Sequence, residues 1–181
     1  MTDTTQPILA AIEFQNGEGD AVDAVLFSVV DRLRADNCDL VGAIKHRGTP
    51  LGRTRCDMAL EELSSGQVIP ISQDLGPQSN ACSLDFSALE HAAGLTLSGL
   101  ERGSDFLILN RFGKREANGD GFRSALENAV GQQVPCVLGV GKDHIKAWQE
   151  FTGPLGIVLP CDVDAVWDWC SKAQVQASES A

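Results

Sequence analysis

Asn110, Arg111, Gly113, Lys114, Arg115 and Glu116 follow directly on an apolar run, Phe106-Leu107-Ile108-Leu109. These side-chain types suit the holding of an oxyanion. A lysine ammonium is a compact point charge, and an arginine guanidinium is a planar fork that grips two oxygens at once. Glu116 could orient a water or pair with a basic neighbour, and it is the residue to test if the site hydrolyses anything. Asn110 stands where a hydrolase would carry a metal-linked or water-positioning carboxylate; an amide binds there but is a poor base. The competing reading is a solvated loop of weak ion pairs. The coincidence of glycine, charge and strand end favours a site.

Two other loops could contribute. Gln15-Asn16-Gly17-Glu18-Gly19-Asp20 follows the first apolar run, and Gly17 and Gly19 would let the backbone approach an anion at a helix N-terminus. The Lys-Ser/Thr pair of a phosphate loop is missing, however, and Glu18, Asp20 and Asp23 would repel a triphosphate. An ordinary turn is the plainer reading. Lys45, Arg47, Arg53 and Arg55 lie within eleven residues that contain no acid. With Arg111, Lys114, Arg115 and Arg123 they make eight of the fourteen basic side chains. Such concentration in a chain of net charge -11 points to a pocket for a small anion, closed over by Arg53 or Arg55.

The elements that must position these groups alternate. Ile8 to Phe14 reads as a strand, and Asp20 is a candidate N-cap for the helix that runs to about Ala35, with Val22, Val25, Leu26, Val29, Val30 and Leu33 at helical spacing. Leu40 to Ile44 is a second strand. Asp57 to Leu63 and Val68 to Ser72 flank a turn and read as a hairpin, although MALEEL also suits a helical turn. Gln73 to Ser83 reads as a loop. Asp85 caps a helix from about Phe86 to Arg102, closed by Gly103. The central strand, Phe106 to Asn110, is followed by a helix at Phe122 to Val130. A strand at Pro135 to Val140, a helix at Asp143 to Phe151, a strand at Gly156 to Leu159 and a helix capped by Asp162 complete the chain, which is expected to fray from Gln174. The fold class is therefore α/β: three layers, a mainly parallel sheet with helices on both faces, and an inserted β-hairpin. All 181 residues form one expected domain, with 1–7 and 174–181 as tails.

Composition excludes several partners. The negative balance argues against nucleic acid or an anionic membrane, and the apolar runs are too short to span a bilayer. Six cysteines without a CxxC spacing, and scattered histidines, argue against zinc and for reduced, partly buried thiols, Cys136 above all. Cys56 and Cys82 flank the hairpin and its loop, so a redox pair is open but a structural role is favoured. The polar N-terminus carries no secretory pattern, so the expected location is cytoplasmic. Oligomeric state is undetermined, with a homo-oligomer among the options.

Three segments, Arg55 to Asp85, Leu107 to Arg123 and Ala147 to Gly153 (AWQEFTG), resemble a bacterial domain family often encoded beside molybdate-transport genes. That family looks like a divergent branch of the P-loop nucleoside-triphosphatases of the THEP type, whose central strand ends in a DEIGKxE-like Walker B motif. The resemblance implies a P-loop NTPase-like fold, with Asn110 at the position of the metal-linked Asp, Arg111 at that of the following Glu, and Gly113, Lys114 and Glu116 retained. It places the phosphate loop on Gln15 to Asp20, without its Lys and Thr. Fold kept and hydrolysis lost is what both departures imply. The resemblance further implies a link to molybdenum or tungsten handling, and together with the basic loops it gives the leading expectation: a non-catalytic protein that holds molybdate or tungstate through the Gly17 and Gly19 backbone, Asn110, Arg111, Gly113 and Lys114, with Arg53 or Arg55 closing over them. The alternative is a nucleotide-binding protein or nucleoside-triphosphatase that takes nucleotide with magnesium.

Overall fold

The computed structural model describes residues 6–48, 58–74 and 82–180. In chain order the first elements are β1 (Leu9–Phe14), α1 (Gly19–Ala35), β2 (Leu40–Lys45), β3 (Ala59–Glu62), β4 (Val68–Pro70), β5 (Ser72–Asp74), β6 (Cys82–Leu84) and α2 (Phe86–Glu101). They are followed by β7 (Phe106–Phe112), α3 (Lys114–Ala117), α4 (Arg123–Gly131), β8 (Cys136–Gly141), α5 (Ile145–Thr152), β9 (Gly156–Leu159) and α6 (Val163–Glu179). Seven strands form one sheet in the order β4-β3-β2-β7-β8-β1-β9. From β2 to β9 all pairings are parallel, while β3 and β4 add an antiparallel hairpin at one edge.

The continuous apolar runs are buried on both faces because helices cover both. On one face, alternate residues of the strands (Ile12, Phe106, Ile108, Val137) meet α1 and α6. On the other, Val41, Leu107, Leu109 and Leu138 meet α2, α4 and Trp148 of α5. Gly42, at φ +121°, lets β2 lie close to β7, where a Cβ would run into the Ile108 carbonyl. The helix starts follow local chemistry. Asp85 accepts the Ala88 N–H at 3.1 Å and Asp162 accepts the Ala165 N–H at 2.9 Å, each capping its helix.

Four boundaries differ from the sequence reading. Helix α1 begins at Gly19 with Glu18 in the cap position and no side-chain cap bond, because the Asp20 carboxylate turns instead to Lys45. The segment read as a loop contributes β5 and β6, which form a separate two-stranded sheet. A short helix, α3, fills part of the loop after β7, and α6 continues through Gln174 to Glu179 instead of fraying there. The helical alternative for MALEEL gives way to β3, whose Leu60 and Glu62 point inward.

Glu62 is fully buried and, among the described residues, has no cation beside it. Its carboxylate accepts the backbone N–H groups of Ser64 and Ser65, at 3.1 and 2.9 Å, and both serine hydroxyls. Burial opposes ionisation, but the Ser65 and Ser64 hydrogen bonds outweigh it and hold the carboxyl below the usual glutamate range. This carboxylate fixes the hairpin turn, and so the edge of the sheet. Burial also raises the Cys136 thiol, and raises that of Cys170 to about 12, so both act as core groups and not as nucleophiles. Cys56 lies outside the described residues, as does the Cys82 side chain, so the suggested thiol pair is not part of this description.

Because the folded-state pKa of Glu62 is lowered, its contribution to stability is complete above the unfolded value of about 4.3 and disappears as pH falls through the folded value. Glu62→Gln is expected to lower stability at neutral pH by about 1–3 kcal/mol and to flatten the acid limb of the stability profile. Urea denaturation at a series of pH values checks both; an unchanged acid limb would show that Glu62 is not the titrating group.

Candidate functional site: the carboxyl ends of the parallel strands

In an open α/β sheet, side chains at the carboxyl ends of neighbouring strands converge. Here the convergence depends on one irregularity. Leu109 of β7 is opposite Leu138 of β8, but the next paired residue is Arg111, opposite Gly139. Asn110 is the extra residue of a bulge, which re-aims everything after it. Phe112 therefore joins Leu109 on the α5 face, packing edge-on to Trp148 at 5.4 Å, and Arg111 turns to the α1 face. The Asn110 side chain extends the β2–β7 seam, its Oδ1 accepting the Lys45 N–H at 3.2 Å.

Arg111 meets an acid that belongs to the protein. Its Nη2 donates to Asp23 Oδ1 at 2.6 Å and to the Gly19 carbonyl at 3.1 Å, its Nη1 donates to the Asn110 carbonyl at 2.7 Å, and the guanidinium lies 4.7 Å from the centre of the Phe14 ring. Lys45 Nζ approaches the other oxygen of Asp23 at 3.2 Å and Asp20 at 3.4 Å. Burial by itself would lower the Lys45 ammonium, but Asp23 and Asp20 more than offset it and raise its pKa above the ordinary lysine value. Asp23 is only 5% exposed. The cluster is electrically closed, with two cations and two carboxylates gathered at the start of α1.

The remaining cations part company. Arg47 grips Asp31 through both oxygens, at 2.9 and 2.7 Å, and its hydrogen bonds pull the Asp31 carboxyl below its usual range. Arg123 donates to Glu127 and to the Glu116 carbonyl and lies 3.8 Å from the Phe151 ring centre. Arg115 donates to Glu90 at 2.8 Å and stacks on Phe86, yet its Nε is buried without a partner among the described residues. Lys114 is exposed and, among the described residues, has no salt-bridge partner.

Of the expected ligand residues, Asn110, Arg111, Gly113 and Lys114 line one cavity of about 320 Å³ on the α2 side of β7, together with Arg115 and Glu116. Gly19 is drawn to the α1 side, where its carbonyl receives Arg111. Gly17, at φ +88°, occupies the turn that Glu18 closes onto the Gln15 carbonyl. Arg53 and Arg55 lie outside the described residues. The expectation that the cations share one open anion seat is corrected in part: Arg111 and Lys45 converge, but on Asp23. Glu116 is engaged within its own loop. Its Oε2 accepts the Gly113 N–H at 3.0 Å and its Oε1 the Phe122 N–H at 3.2 Å, so it ties the loop together. Gly121, at φ +59°, makes room for it, since a Cβ there would strike that carboxylate.

Asp23 is the residue whose role the sequence did not disclose. A signal was present: Asp23 shares a helical stripe with Leu26, Val30 and Leu33, all fully buried, so a carboxylate on that stripe needed a cation. A larger cavity, about 380 Å³, opens at the opposite ends of β2 and β7 beside Arg34, Ser64, Arg102 and Ser104. It lies away from the convergent strand ends, and its Arg34 is engaged by Glu61 and the Leu63 carbonyl. Among the described residues no group of three or more His, Cys, Asp or Glu side chains could hold a metal ion, and no helix is long and apolar enough to cross a membrane.

The structure matches the crystal structure of THEP1 from the hyperthermophile Aquifex aeolicus with a TM-score of 0.61, over 86% of this chain and 91% of that one, at 14% identity. The chain belongs to the family described as Protein of unknown function (DUF2478), whose model matches residues 9–169. It is also 31% identical, over 169 residues, to the molybdenum import ATP-binding protein ModC 2 of Bradyrhizobium diazoefficiens. That match takes in 87% of this chain but only 19% of the relative's length. At the end of β7, Arg111 is closed onto Asp23.

Removing Asp23 would leave two cations facing each other beside the core. Asp23→Ala is expected to destabilise by about 1–3 kcal/mol, below the range for a wholly buried pair because Arg111 and Lys45 retain some solvent. Arg111→Met in that background should restore part of the loss. A double-mutant cycle by urea denaturation measures the coupling, and strict additivity would contradict the ion pair.

Proposed function

We propose that this protein binds a small oxyanion, molybdate or tungstate, without hydrolysing nucleotide. The observation that carries the reading is the closed Asp23–Arg111–Lys45 cluster beside an intact, cation-lined cavity at the end of β7. Phosphoryl-transfer machinery needs an unpaired phosphate cradle and a carboxylate for metal or water. Here the cradle side is neutralised by the chain itself, and the loop acid Glu116 is committed to backbone N–H groups.

The anion-binding groups on the cavity side are of the right kind. Lys114 supplies a mobile ammonium at the rim, and Arg115 a buried N–H without a partner among the described residues. Asn110, with its oxygen engaged by Lys45, presents its amide nitrogen as a donor. A tetrahedral dianion accepts hydrogen bonds from such groups as phosphate does. The choice of molybdate or tungstate draws on the printed name of the Bradyrhizobium relative, of which this chain spans about a fifth.

Calorimetric titration with molybdate, tungstate, phosphate and sulfate tests the proposal. Molybdate or tungstate should bind, and Lys114→Ala should weaken binding by roughly tenfold, the loss of one charge-assisted contact. Magnesium-dependent phosphate release from ATP or GTP should stay at background. No heat with any of the four anions at millimolar concentration would overturn the reading, as would turnover abolished by Glu116→Ala.

A further inference from the structure

The cavity that presents Lys114 and Asn110 is far larger and far less polar than an inorganic anion requires. Its volume is about 320 Å³, against roughly 30 Å³ for a water in the liquid, and it reaches the lower end of the range for small-molecule sites. Its floor and walls are Leu60, Ile71, Leu89 and Phe122, all buried, from β3, the residue after β4, α2 and the start of α4. Met58 and Leu84 complete the lining and remain 46% and 37% exposed. Phe86, 55% exposed, stands beside them beneath the Arg115 guanidinium. Among the described residues, polar donors are confined to one side, the β7 end and α3.

We infer that the ligand of this cavity is an organic anion: an oxyanion group carried on an apolar body, of the class of aryl or alkyl phosphates and their analogues. The inference rests on the preceding reading of Lys114 and Asn110 as anion donors and adds a body to the ligand. The anionic group sits at the Asn110–Lys114 side, and the body enters the space between Leu60, Leu89 and Phe122. One observation supports an amphipathic occupant over a bare ion. A bare dianion would leave most of the apolar wall in contact with water, forgoing the burial that gives such a cavity its affinity.

The experiment compares phenyl phosphate, phenol, inorganic phosphate and molybdate by calorimetry on the full chain, with Lys114→Ala and Met58→Asn as variants. Met58 is half exposed, so the second variant alters the cavity wall without touching the core. Phenyl phosphate should bind at least roughly tenfold tighter than inorganic phosphate, the gain expected from burying a ring. Met58→Asn should reduce that advantage several-fold while leaving inorganic phosphate or molybdate within about twofold, and Lys114→Ala should weaken every anion. Equal affinities for phenyl phosphate and inorganic phosphate would overturn this inference and leave the anion site standing. Phenol binding as tightly as phenyl phosphate, with no effect of Lys114→Ala, would overturn both. Phenyl phosphate bound through Lys114 while molybdate gives no heat would support the inference and reject molybdate as the ligand.

Discussion

One carboxylate ties together the parts of this molecule on which any site depends. Asp23, on the first turns of α1, is held from one side by Arg111 of β7 and from the other by Lys45 of β2. Arg111 lies 88 residues from Asp23 in sequence, and the three charged groups meet above the carboxyl ends of the parallel strands. A buried charge left alone would be strongly unfavourable, so the helix, the central strand and its neighbour must keep their relative positions for all three groups to be satisfied. The cluster also fixes what the strand ends can do. Among the described residues, guanidinium, ammonium and carboxylates balance one another on the α1 side of the sheet.

The same use of acid recurs in this strongly acidic chain. Glu62 and Glu116 are buried like Asp23, and each organises backbone: Glu62 the turn between β3 and β4, Glu116 the passage from β7 through α3 to α4. A carboxylate that accepts two N–H groups from one loop closes that loop more firmly than a neutral side chain would. Asp23 and Glu116 therefore serve as fasteners around the carboxyl ends of the parallel strands, and Glu62 does the same for the hairpin turn at the opposite end of the sheet. The excess negative charge of the chain lies elsewhere, on the surface.

With the α1 side closed, the α2 side of β7 becomes the more open chemical surface. Two small antiparallel units, β3–β4 and β5–β6, bring apolar side chains, among them Leu60 and Leu84, to this side. Polar donors from the strand end and apolar walls from the hairpins make a pocket with two distinct halves. Likeness to THEP1 extends to the overall fold.

The sequence by itself determined the alternation of strands and helices, the hairpin, the caps at Asp85 and Asp162, and the region after Leu109 as the place where polar groups gather. These are local matters, decided by apolar periodicity, turn residues and capping side chains, and they are legible along a few residues at a time. The pairing of β5 with β6 was not legible, because three-residue strands carry too little pattern. Nor was the partner of Arg111. Its direction depends on the bulge at Asn110, and a single extra residue opposite β8 moves each later side chain to the other face of the sheet. Whether Arg111 pointed at a ligand or at Asp23 was therefore decided by strand register, a property of two chains of residues paired in space, which no reading along one of them contains.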